Sequence, residues 1–259
     1  MRLFEGLVLA NERAGEGLLM MRVRAPEAAR EARAGQFLHV RCARPDGYDP
    51  LLRRPISIYR AADDELWLYF DVVGRGTAFL ASLREGDRLD CLGPLGQPFR
   101  IPPNARNLLM VGGGIGLAPL AALADEALAR ELNVTILAGF RSGARALPGG
   151  FVPPAAEYVV ATEDGAIGHA GYVTDLVPSY LGWADAVFAC GPTRMLESLR
   201  RATAGTTKPV QVSLEERMGC AMGVCLSCVL HTDRGLKRVC RDGPVFDLAE
   251  LQELQWRAA

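Results

Sequence analysis

Residues 101–106, IPPNAR, separate two sequence rhythms that no single layer of structure can satisfy. Before them come short runs rich in β-branched and aromatic residues: LFEGLVLA, GLLMMRVRAP, GQFLHVRC, PISIYR and ELWLYFDVV. Turn signals AGEG, PDG and ADD punctuate these runs, a spacing that predicts an antiparallel barrel. GTAFLASLREGD interrupts them as a short helix closed by Gly86. After the linker, strand and helix alternate through NLLMV, GLAPLAALADEALAR, NVTILAGF, AEYVVATED, GYVTDLVPSYL, DAVFAC, PTRMLESLRRATA and KPVQVSL. Leu117, Leu120, Leu123 and Leu128 share one helical face, and near-continuous apolar strands imply a parallel sheet covered on both sides. The fold class expected is therefore β plus α/β. A barrel occupies residues 1–100, a parallel-sheet nucleotide-binding domain 101–212, and a small cysteine-bearing segment 213–259.

Apolar residues make up 49% of the 259-residue chain, enough for a substantial core. The net charge is −1, which gives no electrostatic reason to expect nucleic acid or a membrane surface as a partner. The start lacks the apolar core of a signal peptide, and no run of 18 apolar residues occurs. A reducing, cytoplasmic setting is expected, where structural disulfides rarely persist. Cys42, Cys91 and Cys190 stand apart and read as small buried residues.

The other four of the seven cysteines crowd into 21 residues as Cys220-x4-Cys225-x2-Cys228-x11-Cys240. Zinc knuckles present two C-x2-C pairs, and only one exists here. The C-x4-C-x2-C run with a distant fourth cysteine is the plant-type [2Fe–2S] spacing, although its last gap is short. Gly219 and Gly223 would let backbone N–H groups approach the sulfurs. Zinc and free thiols remain the alternatives.

Two further motifs suit nucleotides. Gly112, Gly113, Gly114 and Gly116 lie between a strand and a helix, where a pyrophosphate meets helix-end N–H groups. The pattern is G-G-G-x-G rather than G-x-G-x-x-G, and a tight turn without a ligand is the bland alternative. Cys190, Gly191 and Pro192 follow a later strand and would line the same crevice. In the barrel half, Arg54, Pro55, Ile56 and Ser57 precede Gly74, Gly76 and Thr77 by about twenty positions. A guanidinium and a Gly-Thr turn can grip a pyrophosphate together, although RRP suits a solvated corner equally well.

Taken together, GQFLHV, LLRRPISIY, VVGRGT, VGGGIGLAPL, ATEDGAIGHAGYVTDLV and the cysteine run resemble the ferredoxin–NADP reductase superfamily. Within it they resemble the electron-transfer subunits of class 1B dihydroorotate dehydrogenases. The resemblance covers nearly the whole chain. It implies FAD on the barrel, one [2Fe–2S] cluster and NAD(H) at the sheet. It also implies a PyrD-type catalytic partner carrying FMN, in a heterotetramer of two copies of each chain. On matching positions, Arg54, Pro55, Ile56 and Ser57 would contact the flavin, Asp71, Val72 and Val73 its edge, and Gly76 and Thr77 its phosphates. Cys220, Cys225, Cys228 and Cys240 would hold the iron, and Gly112–Gly116 with Cys190, Gly191 and Pro192 would face the nicotinamide nucleotide. Two departures stand out: Ala221 replaces a common glycine, and Ile56 replaces an aromatic residue, so flavin stacking must come from elsewhere.

Lesser candidates are weaker. His39 reads as a core or surface histidine, His169 as structural or near the nucleotide, and His231 lacks the second histidine of a Rieske site. Cys190 reads as packing for the nicotinamide rather than as a reactive thiol. Arg141 and Arg145 could meet a 2′-phosphate or simply water, leaving NAD against NADP open. ALADEALARE reads as a solvated helix face. The rival functions are a related diaphorase subunit, of a sulfhydrogenase or an electron-bifurcating transhydrogenase, and an iron–sulfur module without nucleotide turnover.

Overall fold

A computed structural model describes residues 1–251. The expected end of the cysteine segment, residues 252–259, lies outside the described residues. Six antiparallel strands close a barrel in the order β1-β2-β5-β4-β3-β6. They are β1 (Arg2–Gly15), β2 (Leu18–Arg24), β3 (Phe37–Val40), β4 (Arg54–Ala62), β5 (Glu65–Asp71) and β6 (Arg88–Leu95). Helix α1 (Pro26–Glu31) and helix α2 (Arg75–Ser82) lie in the connections. The closing strand β6, RLDCLGPL, was not among the expected runs, because Asp90, Gly93 and Pro94 mask its alternation.

Several barrel strands are apolar on both faces, and the structure shows why. Met21, Val23, Leu66, Leu68 and Phe70 fill the barrel, whereas Leu18, Met20, Tyr59 and Tyr69 point outward into a second core. That second core is shared with the sheet.

The sheet runs β10-β9-β8-β7-β11-β12-β15. Its strands are β7 (Asn107–Gly113), β8 (Asn133–Phe140), β9 (Glu157–Thr162), β10 (His169–Ala170), β11 (Ala186–Cys190), β12 (Val210–Ser213) and β15 (Val245–Asp247). All pair in parallel except β15, which runs antiparallel to β12. Helices α3 (Leu117–Ala129), α4 (Val177–Leu181) and α5 (Thr193–Ala202) supply crossovers. The order reverses between β7 and β11, which makes their carboxyl ends the ligand crevice of an open α/β sheet.

Helix α3 is not a solvated face. Ala121, Leu123, Ala124 and Ala127 are buried, and Asp125 accepts from Arg60 of β4 at 2.6 and 3.1 Å. Arg60 also lies over the Trp67 ring at 5.1 Å. The helix is therefore the partner of the barrel's outer face, an assignment that residue type alone could not reveal.

The cysteine segment is woven into both units. It contains the hairpin β13 (Val229–Thr232) and β14 (Gly235–Arg238) and the short helix α6 (Val239–Asp242). Its strand β15 completes the sheet, and the Gln97 N–H donates to the Gly243 carbonyl at 2.6 Å. Gly96 has φ +84°, and a Cβ there would stand 2.4 Å from Pro244 Cδ. Among the described residues no helix is long and apolar enough to cross a membrane.

Gly96→Ala is expected to cost about 2 kcal/mol through its left-handed backbone and the crowded junction, lowering Tm by several degrees in calorimetry. An unchanged Tm would show that the cysteine segment is not pressed onto the barrel at this point.

Candidate functional site

Three structural features converge around the barrel–sheet junction. The first is the face of β4. Strand alternation turns Ile56, 7% exposed, into the barrel interior beside Leu38 and Ile58, so its side chain does not face a ligand outside the barrel. Toward a ligand outside the barrel Ile56 can therefore offer only its backbone. Pro55 and Ser57 alternate with it and remain partly exposed. Arg54 packs against the start of α2, where a Cβ on Gly76 would meet Arg54 Cγ and Nε at 3.3 Å each. Cation and helix N-terminus thus sit side by side, an arrangement suited to a pyrophosphate. The Thr77 hydroxyl is already engaged, accepting from the Val73 N–H at 3.0 Å and the Gly74 N–H at 3.3 Å. A cavity of about 420 Å³ adjoins this corner, lined by Cys42, Arg44, Asp49, Arg75 and Phe79, with Asp49 and Arg75 ion-paired across it. Burial pushes the Cys42 thiol up to about 11, so it lines the cavity as an inert group. Asp71 does not present a free carboxylate: Arg145 from the sheet side grips it and also donates to the Glu16 carbonyl at 3.1 Å. Arg145 is therefore committed to the junction, while Arg141 stays exposed. Val72 is half-buried and Val73 is 80% exposed at the same edge.

The second feature is the crevice between β7 and β11. A Cβ on Gly113 would strike Pro192 Cδ and Met195 Sδ at 2.8 Å, and one on Gly116 would strike the Cys190 carbonyl oxygen at 2.2 Å. One on Gly112 would meet Leu117 at 2.4 Å. These glycines let two loops and a helix close on one another. Gly114 is different: at φ +54° it faces open space with nothing within 4 Å, and it is the glycine of the motif open to a ligand. The Gly114–Gly116 turn also packs against β5 of the barrel. Cys190 is buried, and desolvation with the nearby Glu215 charge pushes its thiol well up, against a hydrogen bond from Ser213. It is not a reactive thiol. Glu215 was absent from the sequence-derived candidates. It follows β12 near Cys190, and its side chain is exposed to solvent. Only its place after the sixth parallel strand signals it. His169 lies 3.7 Å from Asp175 on the surface, and His231 is exposed on β13.

The third is the cysteine loop. The Cys220 and Cys225 sulfurs lie near one another, as do those of Cys228 and Cys240. The Cys220 sulfur accepts from the N–H groups of Met222, Val224 and Cys225, each at 3.4 Å. The Cys228 sulfur accepts from the Cys240 N–H at 3.5 Å. Two thiol pairs ringed by backbone donors fit a binuclear [2Fe–2S] core, whose sulfurs carry the negative charge such donors stabilise. The loop makes this ring with three residues of positive φ: Ala221 at +55°, Gly223 at +81° and Leu226 at +60°. Ala221 thus takes the left-handed backbone of the glycine it replaces. Arg238 ties the loop down, donating to Asp242 at 2.9 Å and to the Gly223 carbonyl at 3.3 Å. Ser227 and the Cys220 thiol hold the exposed Cys225 down at about 6, whereas burial and the neighbouring Cys228 push Cys240 up to about 12.

Barrel, switch-point crevice and thiolate loop together define a flavin reductase of the ferredoxin–NADP reductase fold with an added iron–sulfur domain. The profile of the iron–sulfur cluster binding domain of dihydroorotate dehydrogenase B matches residues 215–252. The dihydroorotate dehydrogenase B (NAD(+)) electron transfer subunit of Desulforamulus reducens is 40% identical over 95% of this chain and 96% of its own. That of Geobacillus thermodenitrificans is 40% identical over 84% and 86%. An NADH-dependent reduced ferredoxin–NADP oxidoreductase structure superposes with a TM-score of 0.85 at 28% identity, covering 95% of this chain and 89% of that one. A Neisseria gonorrhoeae ferredoxin NADP+ reductase shares the fold at a TM-score of 0.62 and 17% identity, over 84% and 94%. The chain belongs to the family of dihydroorotate dehydrogenase B (NAD(+)) electron transfer subunits, and it is an oxidoreductase subunit working with a catalytic partner.

Ser227→Ala removes the hydroxyl that stabilises the Cys225 thiolate. In cluster-free protein the pH midpoint of Cys225 alkylation should therefore rise from about 6 toward the ordinary thiol value of about 8.5. A midpoint that stays put would show that Ser227 does not hold the thiolate.

Proposed function

We propose that this chain carries FAD against Arg54, Pro55, Ser57 and the start of α2, and a [2Fe–2S] cluster on Cys220, Cys225, Cys228 and Cys240. NAD(H) enters the crevice at Gly114 and the Cys190–Gly191–Pro192 loop. When bound, the flavin exchanges a hydride with the nicotinamide and single electrons with the cluster, so it links two-electron and one-electron chemistry. The observation that carries the reading is the pair of thiol pairs ringed by N–H donors, built beside a barrel whose β4 meets a helix N-terminus at Arg54.

The chain's own residues position and insulate. Gly113 and Gly116 seal the crevice loops together, and α3 fixes β4 against them through Asp125 and Arg60. No side chain here needs to abstract a substrate proton; that chemistry belongs to the partner. The partner is a PyrD-type FMN subunit that oxidises dihydroorotate to orotate in the cytoplasm as a step of pyrimidine biosynthesis, in a heterotetramer of two copies of each chain. Met222, Val224 and Leu226 form an apolar rim around the exposed Cys225, at 42%, 76% and 60% exposure. That rim is the face at which electrons arrive from the partner.

Purified protein should hold FAD and iron at about one to two, since each [2Fe–2S] core carries two irons. The dithionite-reduced sample should give a binuclear ferredoxin signal in electron paramagnetic resonance. Stoichiometric zinc in colourless protein would end the reading. With a PyrD-type subunit, the pair should form orotate in an NAD+-dependent reaction. Cys225→Ser should abolish that reaction while NADH still bleaches the flavin; equal loss of both would contradict a linear path through the cluster.

A further inference from the structure

His39 is 2% exposed, yet its Nε2 has no hydrogen-bond partner. Buried polar atoms without partners are uncommon and call for a physical reason. The place of this ring in the fold supplies one. On β3, Leu38 and Val40 turn into the barrel, while Phe37 turns outward into the core that also holds Met218, Ala221, Cys228 and Cys240 of the cysteine loop. His39 alternates with Leu38 and so faces the same outer side as Phe37. Across the ladder Phe37 pairs with Ser57 and His39 with Pro55, the two partly exposed positions of the strand read here as the flavin strand. The backbone groups of Met218 and Arg53 stand within reach of the imidazole. Met218 lies two residues before Cys220. The ring therefore occupies the gap between the flavin strand and the first limb of the cysteine loop. Burial and the adjacent Arg53 keep it neutral, which suits a fixed spacer rather than a charge carrier. The other limb is tied separately, through Gln97 to the Gly243 and Arg241 carbonyls at 2.6 and 3.1 Å.

We propose that His39 is a positioning residue: it fixes the Met218–Cys220 limb against the strand bearing Ser57, and thereby sets the separation between flavin and cluster. This rests on the reading that the chain carries both groups. His39 touches no reacting atom and takes no part in hydride exchange.

The test uses the full chain loaded with FAD and cluster. NADH is mixed with the wild type, His39→Leu and His39→Gln, and flavin bleaching is followed alongside appearance of the cluster signal in freeze-quenched samples. His39→Leu should slow cluster reduction about tenfold and leave flavin bleaching within about twofold, because a small misplacement of a reacting centre is costly. His39→Gln, which restores a polar atom at similar reach, should recover most of the rate. In cluster-free protein, amide hydrogen exchange over 216–220 should quicken in His39→Leu and not in His39→Gln. If His39→Leu fails to retain iron, the His39→Gln rates and the exchange data decide alone. Cluster reduction at the wild-type rate in a fully loaded His39→Leu would overturn the proposal. So would slowing of both steps together, or unchanged exchange over 216–220. Wild-type protein that binds neither FAD nor iron would instead overturn the functional reading beneath it.

Discussion

The contact on which the rest depends is the packing of helix α3 against strand β4. It merges the outer face of a barrel with one side of a parallel sheet, so Tyr59, Tyr69 and Met20 share a core with Leu117, Leu120 and Ala124. Burial of this shared face removes water from apolar side chains of both units at once, the dominant favourable term in such a junction. Polar ties then fix its register. Asp125 holds Arg60, Arg145 holds Asp71, and the Tyr59 hydroxyl donates to the Phe151 carbonyl at 2.7 Å. Because α3 begins at the glycine turn and β4 carries Ser57, one interface sets the crevice proposed for the nucleotide and the strand proposed for the flavin relative to each other.

The cysteine loop depends on that frame without belonging to either half. Its end returns as β15 to lengthen the sheet, and its beginning leaves from β12, so the loop is anchored at both ends on one edge. Between these anchors the backbone is bent into left-handed conformations that place N–H groups around sulfur. The strain is offset by tertiary fastening: the Arg238–Asp242 pair, the contacts of Gly223 with Arg241, and the apolar floor of Met218, Ala221 and Cys228. Backbone dipoles held this way stabilise charge on the thiolates without adding a formal charge of their own.

Much of this was legible in the residues. The change of rhythm at 101–106 separated barrel from sheet, and cysteine spacing alone pointed to the thiolate loop. What stayed hidden had physical causes. Strand β6 breaks the alternation rule with Asp90 and Gly93, and only barrel closure makes it a strand. Helix α3 reads as solvated at Asp125 because a carboxylate's partner, 65 residues away in sequence, cannot be read from its own helix. Motif matching sets Ile56 beside the flavin without saying that the period of two along β4 turns its side chain inward and leaves only its backbone on that face. The four glycines of VGGGIG divide into three packing contacts and one open position, a distinction that exists only once Cys190, Met195 and Leu117 are in place. Glu215 heads the cysteine run without being one of its thiols, and its closeness to Cys190 emerges only from the strand that precedes it.

The unequal burial of the four thiols has a consequence for handling and lifetime. Cys228 and Cys240 are 3% and 2% exposed, while Cys225 stands open to solvent and favours its thiolate near neutrality. In cluster-free protein an open, thiolate-rich sulfur is the one that peroxide attacks first, ascending from sulfenic toward irreversible acids. The rim proposed as the electron doorway would thus also be the corrosion point of the cluster-free subunit. A catalytic chain seated over it would act as a shield, which makes assembly a form of chemical protection as well as a route for current.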